Sequence, residues 1–214
     1  MSTELSVNNL RFRYRRGAEE LFDGFTHTFR PGIITALTGA SGRGKSTLLY
    51  VLGLLLTPSS GQVMVDGKPA STMPDQARSQ LRAAHFGFVF QDSELDPSRT
   101  ILDSVVEPGL YAGGSRAAIG QRATTLLEQF GLAERAHHRP GQISGGQAQR
   151  VALARALVGS PGIILADEPT GNLDPDTAEK VLAALERAAC ESRVVVIATH
   201  DPMVTQRAKE VLQL

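Results

Sequence analysis

The spacing of hydrophobic and polar positions changes several times along the chain, and each change marks an element. Leu5 to Tyr14 and Phe25 to Arg30 alternate apolar and polar residues, the period of half-exposed antiparallel strands. A turn-like Arg-Arg-Gly-Ala-Glu-Glu segment separates them. After Pro31-Gly32, Ile33 to Leu37 is a short run that reads as a buried strand. Gly61 to Val65 reads as a strand entering a tight turn at Asp66-Gly67. Asp75 to Ala84 reads as a short helix behind Pro74, and Phe86 to Phe90 as a further β-rich run ending at Gln91.

From about Asp92 to Gly159 helical spacing takes over. Ile101 to Tyr111 is one helix. Ser115 to Phe130 is another, capped by Ser115, stopped by Gly131, and apolar along Ile119, Ala123, Leu126, Leu127 and Phe130. Ala148 to Val158 is a third. Continuous apolar runs return at Ile163–Ala166 and Val194–Ala198, as central parallel strands covered on both faces require. The helix between them starts with Asp174 as cap and Pro175 at its first position. Pro202 to Lys209 and Val211 to Leu214 close the chain as a helix and an edge strand. The pattern predicts an α/β fold with a mainly parallel sheet and an N-terminal antiparallel part. An all-helical subdomain at residues 92–159 is inserted between two pieces of the core, 1–91 and 160–214.

Composition narrows the classes. The 214 residues suffice for a large core. Lys plus Arg and Asp plus Glu are 22 each, so the net charge is zero and nothing favours a nucleic-acid footprint. The single Cys190 excludes an internal disulfide. The N-terminus lacks a basic start followed by an apolar run. The longest apolar run, Leu48 to Leu56, is about half of what a bilayer crossing needs. A chain soluble by itself is therefore expected, with any membrane role coming through a partner.

The chemistry centres on Gly39-Ala40-Ser41-Gly42-Arg43-Gly44-Lys45-Ser46-Thr47, between a buried strand and the helix that starts Leu48-Leu49. This is the spacing and context of a phosphate-binding loop. Its glycines bring successive backbone N–H groups toward an anion, and the helix start adds a positive dipole end. Lys45 reaches the terminal phosphates and the Ser46 hydroxyl is a Mg²⁺ ligand. Asp167-Glu168 follows the Ile163–Ala166 strand, at the edge where open α/β sheets bind ligands. An Asp there holds Mg²⁺ and the adjacent Glu orients or deprotonates a water. Ser144-Gly145-Gly146-Gln147 opens a helix with exposed N–H groups, a second anion site in a chain with one phosphate loop. That suggests a phosphate brought by a second protomer. Gln91, His200 and Tyr14 have the chemistry to touch metal or water, a γ-phosphate and a base respectively. On pattern alone each is more often a surface, helix-start or core residue.

These pieces in this order resemble the nucleotide-binding subunit of ATP-binding cassette (ABC) transporters over essentially the whole chain. The carriers are Gly39–Thr47, Gln91, Ile143–Arg150 with its Ser-Gly-Gly-Gln, Ile164–Asp174, and His200. The resemblance implies a P-loop NTPase core and a homodimer closing head to tail on two ATP molecules with Mg²⁺. Each ATP would lie between Gly39–Thr47 of one copy and Ser144–Gln147 of the other. It further implies Tyr14 on the adenine, Ser46, Gln91 and Asp167 around Mg²⁺, Glu168 as general base and His200 on the γ-phosphate. Asn172 to Asp174 would cross the dimer contact. The Gln91 segment and helical subdomain would meet a membrane permease at the cytoplasmic face, with no nucleic acid involved. The run Ala166–Asp174 looks most like the lipoprotein-release, macrolide-export and cell-division branch. Arg43 departs from the family, which often has Ser there. Two other readings stay open at this level: a soluble mechanical ATPase acting on nucleic acid or ribosomes, and a nucleotide-binding regulatory module without turnover.

Overall fold

A computed structural model describes residues 3–15, 19–171 and 173–214. Strand β1 (Leu5–Phe12) pairs antiparallel with β2 (Leu21–Phe29) on one side and with β4 (Ser60–Val65) on the other. β4 turns at Asp66-Gly67 into the two-residue β5 (Lys68–Pro69), completing a sheet of order β2-β1-β4-β5. Both turn residues have positive φ, 51° and 70°, as a tight two-residue hairpin demands. The alternation in β1 is real: Leu5, Val7, Leu10 and Phe12 are all buried. β2 begins four residues before its alternation becomes readable. Phe22 and Gly24, at φ 64° and 72°, interrupt the period there.

The second sheet holds β3 (Ile34–Thr38), β6 (Phe86–Val89), β7 (Ile163–Asp167), β8 (Val194–Ala198) and β9 (Glu210–Gln213), in the order β6-β7-β8-β3-β9. Every pairing in it is parallel. All residues of β7 and β8 are buried, which is why those segments read as unbroken apolar runs. One face packs with α1 (Lys45–Leu52) and the antiparallel sheet. The other packs with α5 (Gly145–Leu157) and α6 (Pro175–Cys190), and that core continues without a break into α3 (Ile101–Tyr111) and α4 (Arg116–Gln129). The antiparallel part, the parallel sheet and the inserted helices are those expected of the fold class. The helix α2 (Asp75–His85) leads into β6, and α7 (Pro202–Arg207) into the edge strand β9.

The strand order positions the site. Parallel strands put their C-terminal ends on one edge, and β6, β7, β8 and β3 are consecutive there. The segments that follow them begin at Phe90-Gln91, Glu168, Thr199-His200 and Gly39. Four stretches far apart in the chain therefore open side by side.

Candidate nucleotide site

The loop between β3 and α1 is shaped by its glycines. Gly44, immediately before α1, has φ 92° and gives the helix no side-chain cap, so its first N–H groups stay free. Gly39 has φ 139°, and a Cβ on it would meet the Leu214 carbonyl oxygen at 2.7 Å, so the residue just after β9 lies close against the loop. Lys45 Nζ lies across the turn and donates to the carbonyls of Gly39 (2.9 Å) and Ala40 (3.4 Å). Free amides, a helix start and an ammonium thus surround one small volume, which is an anion cradle.

Two acidic groups border it. Ser46 Oγ donates to Asp167 Oδ1 at 3.0 Å and the Tyr50 hydroxyl donates to Oδ2 at 3.3 Å. Burial pushes the Asp167 carboxyl above the ordinary carboxylate range, and the Ser46 and Tyr50 hydrogen bonds oppose that shift. A hydroxyl and a carboxylate converging as hard oxygen donors fit Mg²⁺ beside phosphate. Glu168, next in the chain, sits at φ 44°, a left-handed conformation costing of order 1 kcal/mol. Its Oε1 is 2.7 Å from His200 Nδ1, and its Oε2 accepts from the Thr199 hydroxyl (3.0 Å) and the His200 amide (3.4 Å).

Tyr14, Ser41, Gly42, Gly44, Lys45, Ser46, Thr47, Gln91, Glu168 and His200 line one cleft of about 440 Å³, with Leu21 beside them. Tyr14 stands just beyond β1, 65% exposed, edge-on to Phe12 at 5.0 Å, with its hydroxyl 2.6 Å from Thr47 Oγ1. Three groups of expected residues lie elsewhere. Arg43 lines a neighbouring groove with Glu19, Glu20 and Asp23, outside the cleft. Ser144, Gly145, Gly146 and Gln147 begin α5 away from the cleft; Ser144 Oγ accepts the Gln147 amide at 3.3 Å and Gln147 Oε1 accepts the Ser144 amide at 2.9 Å. Asp174 caps α6 by accepting the Thr177 amide at 3.0 Å, and these hydrogen bonds hold its carboxyl below the usual range. Asn172 lies outside the described residues.

Four further residues contribute to the site. Tyr50 and Thr199 hold the two acids. Gln149, 5% exposed, donates through Nε2 to the Phe90 carbonyl at 3.3 Å. The Arg155 guanidinium donates to the carbonyls of Ser93 and Glu94, both at 2.7 Å. Those two residues turn at φ 56° and 44°, so Gln149 and Arg155 of α5 fix the segment that carries Gln91. A signal existed for Tyr50 alone: it follows Ser46 by four residues on α1, hence on the same face.

A parallel sheet whose phosphate loop, acidic pair and histidine loop open on one cleft defines a P-loop nucleoside triphosphatase. The chain belongs to the ABC transporter family, whose profile matches residues 22–171. It is 45% identical over 213 residues to the lipoprotein-releasing system ATP-binding protein LolD of Paramagnetospirillum magneticum, covering 98% of this chain and 94% of that one. To the macrolide export ATP-binding/permease protein MacB of Rhodopseudomonas palustris it is 46% identical over 187 residues, covering 87% of this chain but 28% of that longer protein. Its fold matches the dimeric post-hydrolysis ATP-binding cassette MJ0796 bound to ADP and Pi with a TM-score of 0.90 at 34% identity, over 98% of this chain and 94% of that one. The chain is an ATP-binding and ATP-hydrolysing cassette that works with Mg²⁺, and the readings as a nucleic-acid machine or a silent regulatory module are not the ones its relatives favour. Among the described residues no helix is long and apolar enough to cross a membrane.

Proposed function

We propose that two copies of this chain close head to tail on two ATP molecules and power a separate membrane permease from its cytoplasmic face. The observation that carries the pairing is the separation of the two anion sites. The phosphate cradle opens on the cleft, whereas Ser144 and Gly145 are exposed at the start of α5, outside it. One γ-phosphate touches both only if the second site comes from another copy. A dimeric cassette such as MJ0796 supplies the precedent.

In this reading Gly39–Thr47 binds the phosphates, with Lys45 on the terminal ones, and Tyr14 stacks on the adenine. Ser46, Asp167 and Gln91 attend Mg²⁺, which when bound offsets phosphate charge. Glu168 takes the proton of the attacking water, and His200 contacts the γ-phosphate. In the free subunit His200 and Thr199 hold the Glu168 carboxylate, which keeps it aimed at the cleft. Asp174 lies at the contact between copies. Residues 92–159 act as the subdomain that, with the Gln91 segment, meets the permease. The likeness to LolD and MacB, one named for lipoprotein release and the other for macrolide export, supports a place in that branch.

The test is Glu168→Gln. It keeps ATP binding, lowers steady-state phosphate release by about 10²- to 10⁴-fold, the usual worth of a general base, and accumulates an ATP-bound dimer on size exclusion. A variant with full turnover removes Glu168 from the mechanism.

A further inference from the structure

Tyr50 has no part in the roles above, yet its hydroxyl ends on the Asp167 carboxylate. Ser46 and Tyr50 leave the same face of α1, one turn apart, and take one oxygen each: Ser46 Oγ to Oδ1 at 3.0 Å, Tyr50 to Oδ2 at 3.3 Å. An ionised carboxylate only accepts, so the phenol is the donor. The Tyr50 ring is itself held. It is tilted 52° against Phe90 at a centroid distance of 6.3 Å; Phe90 stacks on Phe88 at 5.7 Å, and Phe88 on Phe86 at 6.1 Å. A Cβ on Gly53 would meet the Phe88 ring at 2.4 Å, so a glycine at that point lets α1 lie directly on this aromatic ladder. The ladder ends at the residue before Gln91.

We infer that Tyr50 is a positioning residue for the divalent cation: its hydroxyl anchors Oδ2 of Asp167, which keeps Oδ1 turned toward Ser46 and raises the affinity of the site for Mg²⁺. The inference rests on the reading of Asp167 as a metal-side residue. Asp167 is 5% exposed, and a buried carboxylate that loses one of its two side-chain donors is both less fixed and less well solvated by the protein. The aromatic ladder keeps the phenol from turning away, and its contact with Phe90 ties that hydroxyl to the strand end from which Gln91 emerges.

The test uses the whole chain and needs no turnover. Tyr50→Phe keeps the ring and the ladder and deletes only the hydroxyl. Binding of a fluorescent ATP analogue is followed while Mg²⁺ is titrated, and Mn²⁺ binding by electron paramagnetic resonance in the presence of a non-hydrolysable ATP analogue gives a second reading. The expected result is a Mg²⁺ midpoint raised about tenfold, the low end for an outer-shell partner of a metal ligand, with nucleotide binding in EDTA unchanged. An unchanged or lowered midpoint overturns the inference. Asp167→Asn distinguishes the layers. If it leaves the Mg²⁺ midpoint unmoved, the metal reading of Asp167 falls. If it raises the midpoint while Tyr50→Phe does not, only the Tyr50 inference falls. Tyr50→Phe added to Asp167→Asn is expected to change nothing further, and an independent additional loss refutes action through Asp167.

Discussion

Replacing Ser144 by Asp separates a helix cap from a phosphate ligand, two roles that alanine would remove together. In the free chain the substitution is mild. Asp and Ser are about equally good N-caps, an aspartate oxygen can accept the Gln147 amide that Ser144 Oγ now accepts at 3.3 Å, and a carboxylate at the start of α5 gains about 0.3–1 kcal/mol from the helix dipole. Thermal stability should hold or rise slightly. In the proposed ATP-closed pair the same carboxylate would face the γ-phosphate bound by the other copy. Two like charges about 4 Å apart at an effective dielectric near 20 repel by about 4 kcal/mol, roughly a thousandfold in affinity at each of two equivalent sites, and less as salt is added. The assay is light scattering with ATP in the Glu168→Gln background, where closed dimers accumulate. Ser144→Asp should remain monomeric at protein concentrations that dimerise the parent. Ser144→Ala, which costs about 1 kcal/mol of cap but adds no charge, should weaken the dimer less. If Ser144→Asp dimerises like its parent with an unchanged melting temperature, Ser144 does not face a phosphate and the composite site is wrong.

Two further outcomes are expected. Asp167→Asn should melt higher than the parent at neutral pH without nucleotide or metal. Burial raises the Asp167 carboxyl above its unfolded value, so its ionised form penalises the native state as pH rises through the folded value. The gain should shrink as pH falls toward and below the unfolded carboxylate range, and thermal unfolding at several pH values measures it. Arg43→Ser should change ATP affinity by less than about fivefold, as expected for an exposed charge without a buried partner among the described residues. Arg43 lines the groove of Glu19, Glu20 and Asp23 rather than the cleft. A tenfold or greater loss in nucleotide titration would put the guanidinium on the phosphates.

What could be read in the sequence was what depends on local periodicity and local chemistry. Ile163–Ala166 and Val194–Ala198 announce buried parallel strands because both faces are covered, and α4 announces itself because its apolar face is regular and Ser115 and Gly131 bound it. The phosphate loop is legible because a tight anion cradle tolerates few residue types. Illegible was whatever depends on contacts between distant segments. The start of β2 is illegible because positive φ at Phe22 and Gly24 breaks the period. Arg155 gave no signal, because its partners are the carbonyls of Ser93 and Glu94, and any residue presents a carbonyl. Thr199 gave none because its importance lies in a hydrogen bond to a residue 31 positions away.

The same distinction bears on the proposed pairing of two copies. Strand order brings Gln91, Asp167-Glu168, His200 and the phosphate loop to one edge, since each ends or follows a strand of one parallel sheet. Ser144–Gln147 follows no strand. It starts a helix whose body packs on β6 and α3, and that packing leaves Ser144 and Gly145 exposed and outside the cleft. Moving the helix to carry that turn to the phosphates of the same copy would strip Val151, Leu153 and Ala154 from the core, all buried at 0% exposure. Uncovering those three side chains costs several kcal/mol, a large part of the whole stability of a domain. A second copy supplying the turn from outside would leave that core intact, which supports the proposed pairing.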